Sequence, residues 1–219
     1  MESIILKISE VLAFCISAAA FIYGAFKMLN GKTPEFFKYH VYAVGCYTLE
    51  ELWVIVNAIF GTALGDGLAT VRLVGIFGCL CFMLSANINT KKSADSKKNR
   101  RAGIISLIAP AVLILSYVLF LLTPDARKTG VGNIIGFIAL SPALFVSWLS
   151  LKALIIKTGD KTITAIHILS LVFCLESFAY SFINVFMPQS VMTGYDVISA
   201  LLIFAIVILC AKGAEKCKA

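Results

Sequence analysis

Acids in apolar surroundings are the residues of this chain best placed to do chemistry. Glu50 and Glu51 lie inside CYTLEELWVIVN, residues 46–57, and Glu176 lies inside HILSLVFCLESFAYSFIN, residues 167–184. Arg72 and Glu10 interrupt two further apolar runs. A charge at the centre of a bilayer costs about 2.5–3.5 kcal/mol on insertion scales. An acid kept there is expected to pair with a base, bind a polar solute, or exchange protons. On a helix Cys46, Glu50, Trp53 and Asn57 share one face, and Glu176, Tyr180 and Asn184 share another. If the two faces oppose each other, they line a polar chamber of acids, aromatics and amides, suited to a small solute bearing hydroxyl or amine groups. The expected substrate-binding set is therefore Glu50, Trp53, Asn57, Arg72, Glu176, Tyr180 and Asn184. The expected proton-coupling set is Glu50, Glu51 and Glu176, with Arg72 the natural partner of one acid.

The elements that must carry these residues are membrane-spanning helices. The 219 residues are 60% hydrophobic and 14% charged, against about 25% charged in soluble domains. The apolar residues form blocks of spanning length. Seven spans are predicted: Ile4–Met28, Val41–Phe60, Leu68–Ile88, Ala102–Thr123, Val131–Ile156, Ile163–Met187 and Val197–Lys212. The last is short and has an alternative start near Tyr195. Little sequence remains between spans, so residues 1–219 read as a single all-α membrane domain. Cleavage of the first span as a signal is not expected, because Lys7 and Glu10 interrupt its start and no basic segment precedes it.

Charge sets the expected orientation. Most of the 19 basic residues fall in the first, third and fifth links and the tail, with Lys91, Lys92, Lys97, Lys98, Arg100 and Arg101 in the third link alone. The second and sixth links have none. The positive-inside rule makes the basic links cytoplasmic, which places the N-terminus outside and the C-terminus inside. The net charge of +7 then reflects topology and anionic lipid, and nucleic acid is not an expected partner. Residues 91–101 read as a lipid-contacting linker, with a cytoplasmic protein partner as the alternative. The plasma membrane is the expected location.

Six of the seven cysteines fall inside spans and read as packing residues. Cys79 and Cys81 point about 200° apart on a helix, which is wrong for a shared metal. No metal or other cofactor is expected. His40 and His167, at the starts of their spans, read as interfacial caps.

The same two histidines mark a repeat. Each is followed at the same interval by an aromatic, Trp53 or Tyr180, and then by an asparagine, Asn57 or Asn184. An acid, Asp66 or Asp196, precedes the following span in both halves. Residues 1–90 then form one three-helix unit, 91–123 a basic linker with the fourth helix, and 124–219 a second unit running the same way through the membrane. Such a 3+1+3 layout resembles the SWEET sugar transporters and their PQ-loop relatives. SPALFVSWLSLKALIIKTGDKT, residues 141–162, is similar to their fifth helix, where Ser-Pro precedes a cytoplasmic Lys-Thr turn. Here Ser141-Pro142 stands further from Lys157-Thr158 than in that family. The first helix lacks the matching proline, and Pro188-Gln189 lies at the outer end of its span. The resemblance implies a central pocket lined by the second, third, sixth and seventh spans.

Three functions compete at this level. A transporter or channel for a small polar solute, proton-coupled through the central glutamates, fits the acids and the repeat. A seven-helix receptor or sensor acting through a separate cytoplasmic partner fits the topology. A retinal-type opsin is disfavoured, because the last span offers only Lys212 at its cytoplasmic end. An enzyme is not expected: HExxH and Gly-x-Ser-x-Gly are absent, and Ile55 stands where CAAX-type membrane proteases place an arginine after paired glutamates.

Overall fold

A computed structural model describes residues 2–29, 31–60, 67–88, 96–123, 130–157, 160–186 and 189–217. The described residues are helical apart from short turns, with no strand among them. The helices are α1 (Glu2–Met28), α2 (Glu35–Phe60), α3 (Gly67–Ile88), α4 (Ser96–Ile105), α5 (Ile108–Leu121), α6 (Gly130–Ile156), α7 (Lys161–Phe186) and α8 (Gln189–Lys216). Five stretches among the described residues are long and apolar enough to cross a membrane: Ile8–Met28, Lys98–Leu121, Ile134–Ile156, Lys161–Tyr180 and Gly194–Lys216. The described apolar part of α3, Arg72–Ile88, is shorter. The fold is thus an all-α bundle of membrane character. Large apolar side chains left outside, Phe26, Leu49, Val74, Leu119 and Phe145 among them, form the surface that acyl chains would cover.

Packing follows chain order around a ring. α1 lies on α2, α2 on α3, α3 on α6, α6 on α7, α7 on α8, and α8 returns to α1. α5 packs against α6 and α7, and α4 against α6. Small residues decide how closely neighbours approach. α1 buries Ala13, Ser17, Ala20 and Gly24 on one stripe, and Gly24 sits against Val207 of α8 and Val41 of α2. α3 meets α2 still more tightly. A β-carbon added at Gly75 would lie 2.5 Å from Cβ of Glu50, and one at Gly78 would lie 3.0 Å from Sγ of Cys46. Glycine at those two positions lets α3 seat against the acid-bearing face of α2.

Prolines explain two local departures from regular helix. The predicted fourth span, Ala102–Thr123, is broken at residues 106–107 and begins earlier, at Ser96. Pro110 has no N–H for the Ser106 carbonyl and crowds it. That carbonyl accepts instead from the Ala109 N–H at 3.2 Å. The Leu107 N–H turns to Ile104 at 3.2 Å, which leaves the Gly103 carbonyl to the Ser106 hydroxyl at 3.0 Å and to Trp148 Nε1 at 2.9 Å. The broken helix is thereby stapled to α6. Pro142 within α6 deprives the Ile138 carbonyl in the same way, and the Ser141 hydroxyl donates to it at 2.8 Å.

The seventh predicted span takes its earlier alternative start: the stretch long and apolar enough to cross a membrane begins at Gly194, beside Tyr195 and not at Val197, within a helix that runs from Gln189 and carries Asp196 inside it. Asp196 thus lies within the helix, where Arg72 pairs with it.

Candidate functional site

Arg72 of α3 organises the polar interior. Its Nε lies 3.3 Å from Oε1 of Glu50 on α2, and its Nη2 pairs with Oδ1 of Asp196 on α8. Its guanidinium carbon sits 5.0 Å from the ring centroid of Tyr180 on α7, a cation–π contact. One side chain therefore touches three other helices. The Tyr47 hydroxyl donates to the Asp196 backbone carbonyl at 3.4 Å. On the α7–α8 side the Ser199 hydroxyl lies 2.5 Å from Oε1 of Glu176 and 3.0 Å from the Tyr195 carbonyl. It has one proton for two acceptors. When that proton points to Tyr195, the short contact to Glu176 is served by a proton on the carboxyl group.

These groups surround a hollow. Its walls include Tyr47, Glu50, Arg72, Glu176, Tyr180 and Asp196, with Ile76 and Phe173 as apolar panels. It offers about 20 Å³ to the centre of a water-sized sphere, enough for a water or two. Its walls come from α2, α3, α7 and α8. Glu50 is 2% exposed, and its Oε2 has no hydrogen-bond partner among the described residues.

The expected residues do not all arrive there. Glu50, Arg72, Glu176 and Tyr180 line the hollow. Glu51 is buried beside it. Its oxygens have no hydrogen bond of good geometry among the described residues, although Tyr47, Asp196 and Arg72 are close enough to act on it. Trp53 and Asn57 are not on the wall, contrary to the shared-face expectation; Trp53 Nε1 and Asn57 Oδ1 are buried elsewhere on α2. The face they share with Glu50 continues along α2 by about 4.5 and 10 Å, beyond the residues that line the hollow. The side chain of Asn184 lies outside the described residues, as does that of Lys7. Asp196, Ser199 and Tyr47 were missed. Asp196 and Ser199 are three apart, one turn on the same helical face, and that spacing was the available signal.

The histidines also depart from expectation. His40 and His167 are each 1% exposed, so they are interior residues and not interfacial caps. Both rings pack on Phe36, with centroids at 4.7 and 6.0 Å. His40 Nδ1 bonds the Phe36 carbonyl at 2.8 Å. His40 Nε2 and both His167 nitrogens have no hydrogen-bond partner among the described residues. Three such groups capable of metal ligation do not converge anywhere among the described residues.

Comparison with models of known protein families, with curated proteins and with solved structures finds no match to this chain.

Proposed function

We propose that this chain is a seven-span carrier for a small polar solute, coupled to protons through Glu50, Glu51 and Glu176. The carrying observation is the hollow itself: acids from α2 and α7 meet Arg72 and Tyr180 around one space. Such a space between the second, third, sixth and seventh spans is what the resemblance to SWEET and PQ-loop transporters implies. The Ser199–Glu176 contact at 2.5 Å supports proton exchange, since it works with the proton on either oxygen.

Seven crossings are supported by the ring. α2 has 26 residues, about 39 Å, which exceeds a hydrocarbon core of about 30 Å. α2 and α3 stand in line between α1 and α6. With the basic links cytoplasmic, the N-terminus is outside and the C-terminus inside, and the plasma membrane is the proposed location. The repeat is supported too. Arg72 and Ser199 are separated by the same interval as His40 and His167, and each holds the acid of the preceding helix.

The test is uptake into proteoliposomes holding the purified chain, with and without a pH gradient, across sugars, amino acids, amines and nucleosides. A solute whose uptake follows the gradient is expected, with sharp loss in Glu50→Gln and in Glu176→Gln. Undiminished, gradient-independent uptake in both variants would overturn the reading.

A further inference from the structure

The hollow gathers more acids than its wall has bases, and we infer that its occupant is a compact cation bearing an ammonium group. The inference names the solute class for the carrier reading and rests on that reading for its transport consequence.

Charges face the space from each neighbouring helix. α2 supplies Glu50 with Glu51 behind it, α7 supplies Glu176, and α8 supplies Asp196. Glu10 of α1 is near enough to act on Glu51. Arg72 is the basic residue on the wall; its Nε faces Glu50 and its Nη2 pairs with Asp196. Glu176 meets a neutral hydroxyl. Glu50 Oε2 is buried against Gly75 of α3 with no hydrogen-bond partner among the described residues.

An anion would be repelled here. A neutral hydroxyl could donate to one oxygen but brings no counter-charge for an acid that gives up its proton. An ammonium brings three N–H donors and the missing charge together. Tyr180 already receives the cation of Arg72 on its face, and Tyr47 and Phe173 extend the aromatic wall. Calcium or magnesium wants six or more oxygens, which a wall containing Ile76 and Phe173 does not offer. The water-sized space fits an ammonium head group.

Charge balance then fixes the coupling. As the cation enters, one carboxylic O–H gives up its proton and the oxygen accepts an N–H from the ammonium. The hollow's net charge is unchanged, and the released proton leaves the site. Cation and proton therefore travel in opposite directions.

The experiment titrates the detergent-purified full chain with methylammonium chloride, followed by thermal unfolding at two pH values. Sodium chloride at equal ionic strength and neutral acetamide serve as controls. Methylammonium alone should raise the unfolding temperature, and more so at higher pH. Glu176→Gln keeps an acceptor for Ser199 and is expected to fold. It should weaken methylammonium binding by about tenfold or more, the worth of a hydrogen bond to a charged group. Equal stabilisation by sodium or acetamide, or full methylammonium binding by Glu176→Gln, overturns the inference. Proteoliposomes separate the two ideas. Uptake of neutral solutes by a chain that ignores methylammonium overturns the cation class and leaves the carrier. Methylammonium binding with no flux of any solute overturns the carrier and leaves the cation site.

Discussion

Along α2, His40 and Glu50 lie about 15 Å apart, and α7 repeats the arrangement with His167 and Glu176. Both levels bury polar groups, yet they manage them differently. At the histidine level the rings pack on Phe36 and on hydrocarbon, and their polarity is met by one backbone carbonyl. At the glutamate level four helices converge on charges, an arginine bridges two acids, and space remains. A neutral imidazole tolerates apolar packing at moderate cost, whereas an ionised carboxylate must be paired or protonated. The first arrangement holds helices together. The second keeps polar residues around a void that tighter packing would have closed, as the proposed carrier requires.

The largest effect that would sharpen this contrast is loss of Arg72. Arg72→Met strands Glu50, whose side chain is 1% exposed, and Asp196, whose side chain is 9% exposed. Removing one partner of a buried pair costs about 3–5 kcal/mol, so the variant should yield little folded protein in detergent and unfold well below the parent. A variant as stable as the parent would mean that the hollow's charges are already screened by water, and would erase the difference between the levels.

Next comes the close approach of α3 to α2. Gly75→Ala places a β-carbon against Glu50 Cβ, 2.5 Å away in the unrelaxed structure. That atom is tied to the α2 backbone and cannot swing aside. A loss of about 1–3 kcal/mol is expected, read as a lower unfolding temperature. Uptake should fall as well, because separating the helices lengthens the Arg72–Glu50 bond. Unchanged uptake with lowered stability would place the working part of the hollow on the α7–α8 side.

How much of this the sequence disclosed follows from the same contrast. Apolar run length located the helices, because hydrocarbon content is local information. Glu50, Arg72, Glu176 and Tyr180 were found because a charge in an apolar run, with an aromatic one turn on, has few cheap explanations. Asp196 was lost for the opposite reason: a charge near the end of an apolar run reads as an end. Only the three-dimensional neighbour, Arg72 on α3, reveals it as interior. Trp53 and Asn57 show the limit of facial reasoning, since a shared face does not fix how far along the axis the partner helices close it. The break at residues 106–107 was legible in Pro110, whose reach to the carbonyl four residues back is fixed by covalent geometry.

A smaller effect is expected from the histidine level. The double variant His40→Phe, His167→Phe keeps a planar aromatic ring, somewhat larger than imidazole, and removes polar atoms that are mostly unmatched. Replacing buried polar groups by apolar ones of similar shape is close to neutral, so the change should stay within about 1 kcal/mol and uptake should persist. Loss of uptake with stability retained would turn the histidine level into part of the route, and the comparison would have to be redrawn.

The smallest effect belongs to a charge pair in the open, which tests whether burial is what gives the hollow its weight. Asp160 precedes α7, accepts the Thr162 N–H at 2.8 Å, and stands 3.6 Å from Lys216 Nζ at the end of α8. The Thr162 N–H, with Lys216 adding to it, holds its carboxyl below the ordinary aspartate value of 3.8. A folded-state value below the unfolded one contributes stability above pH 4 or so, lost as pH falls through the lower folded value. Both side chains are well exposed, 37% and 61%, so solvent screens the pair. Asp160→Asn should therefore lower the unfolding temperature slightly at pH 7 and less at pH 3, and added salt should shrink the difference at pH 7. An effect at pH 7 as large as that of Arg72→Met would show that exposed and buried charges weigh alike here, leaving the hollow no special claim from its burial.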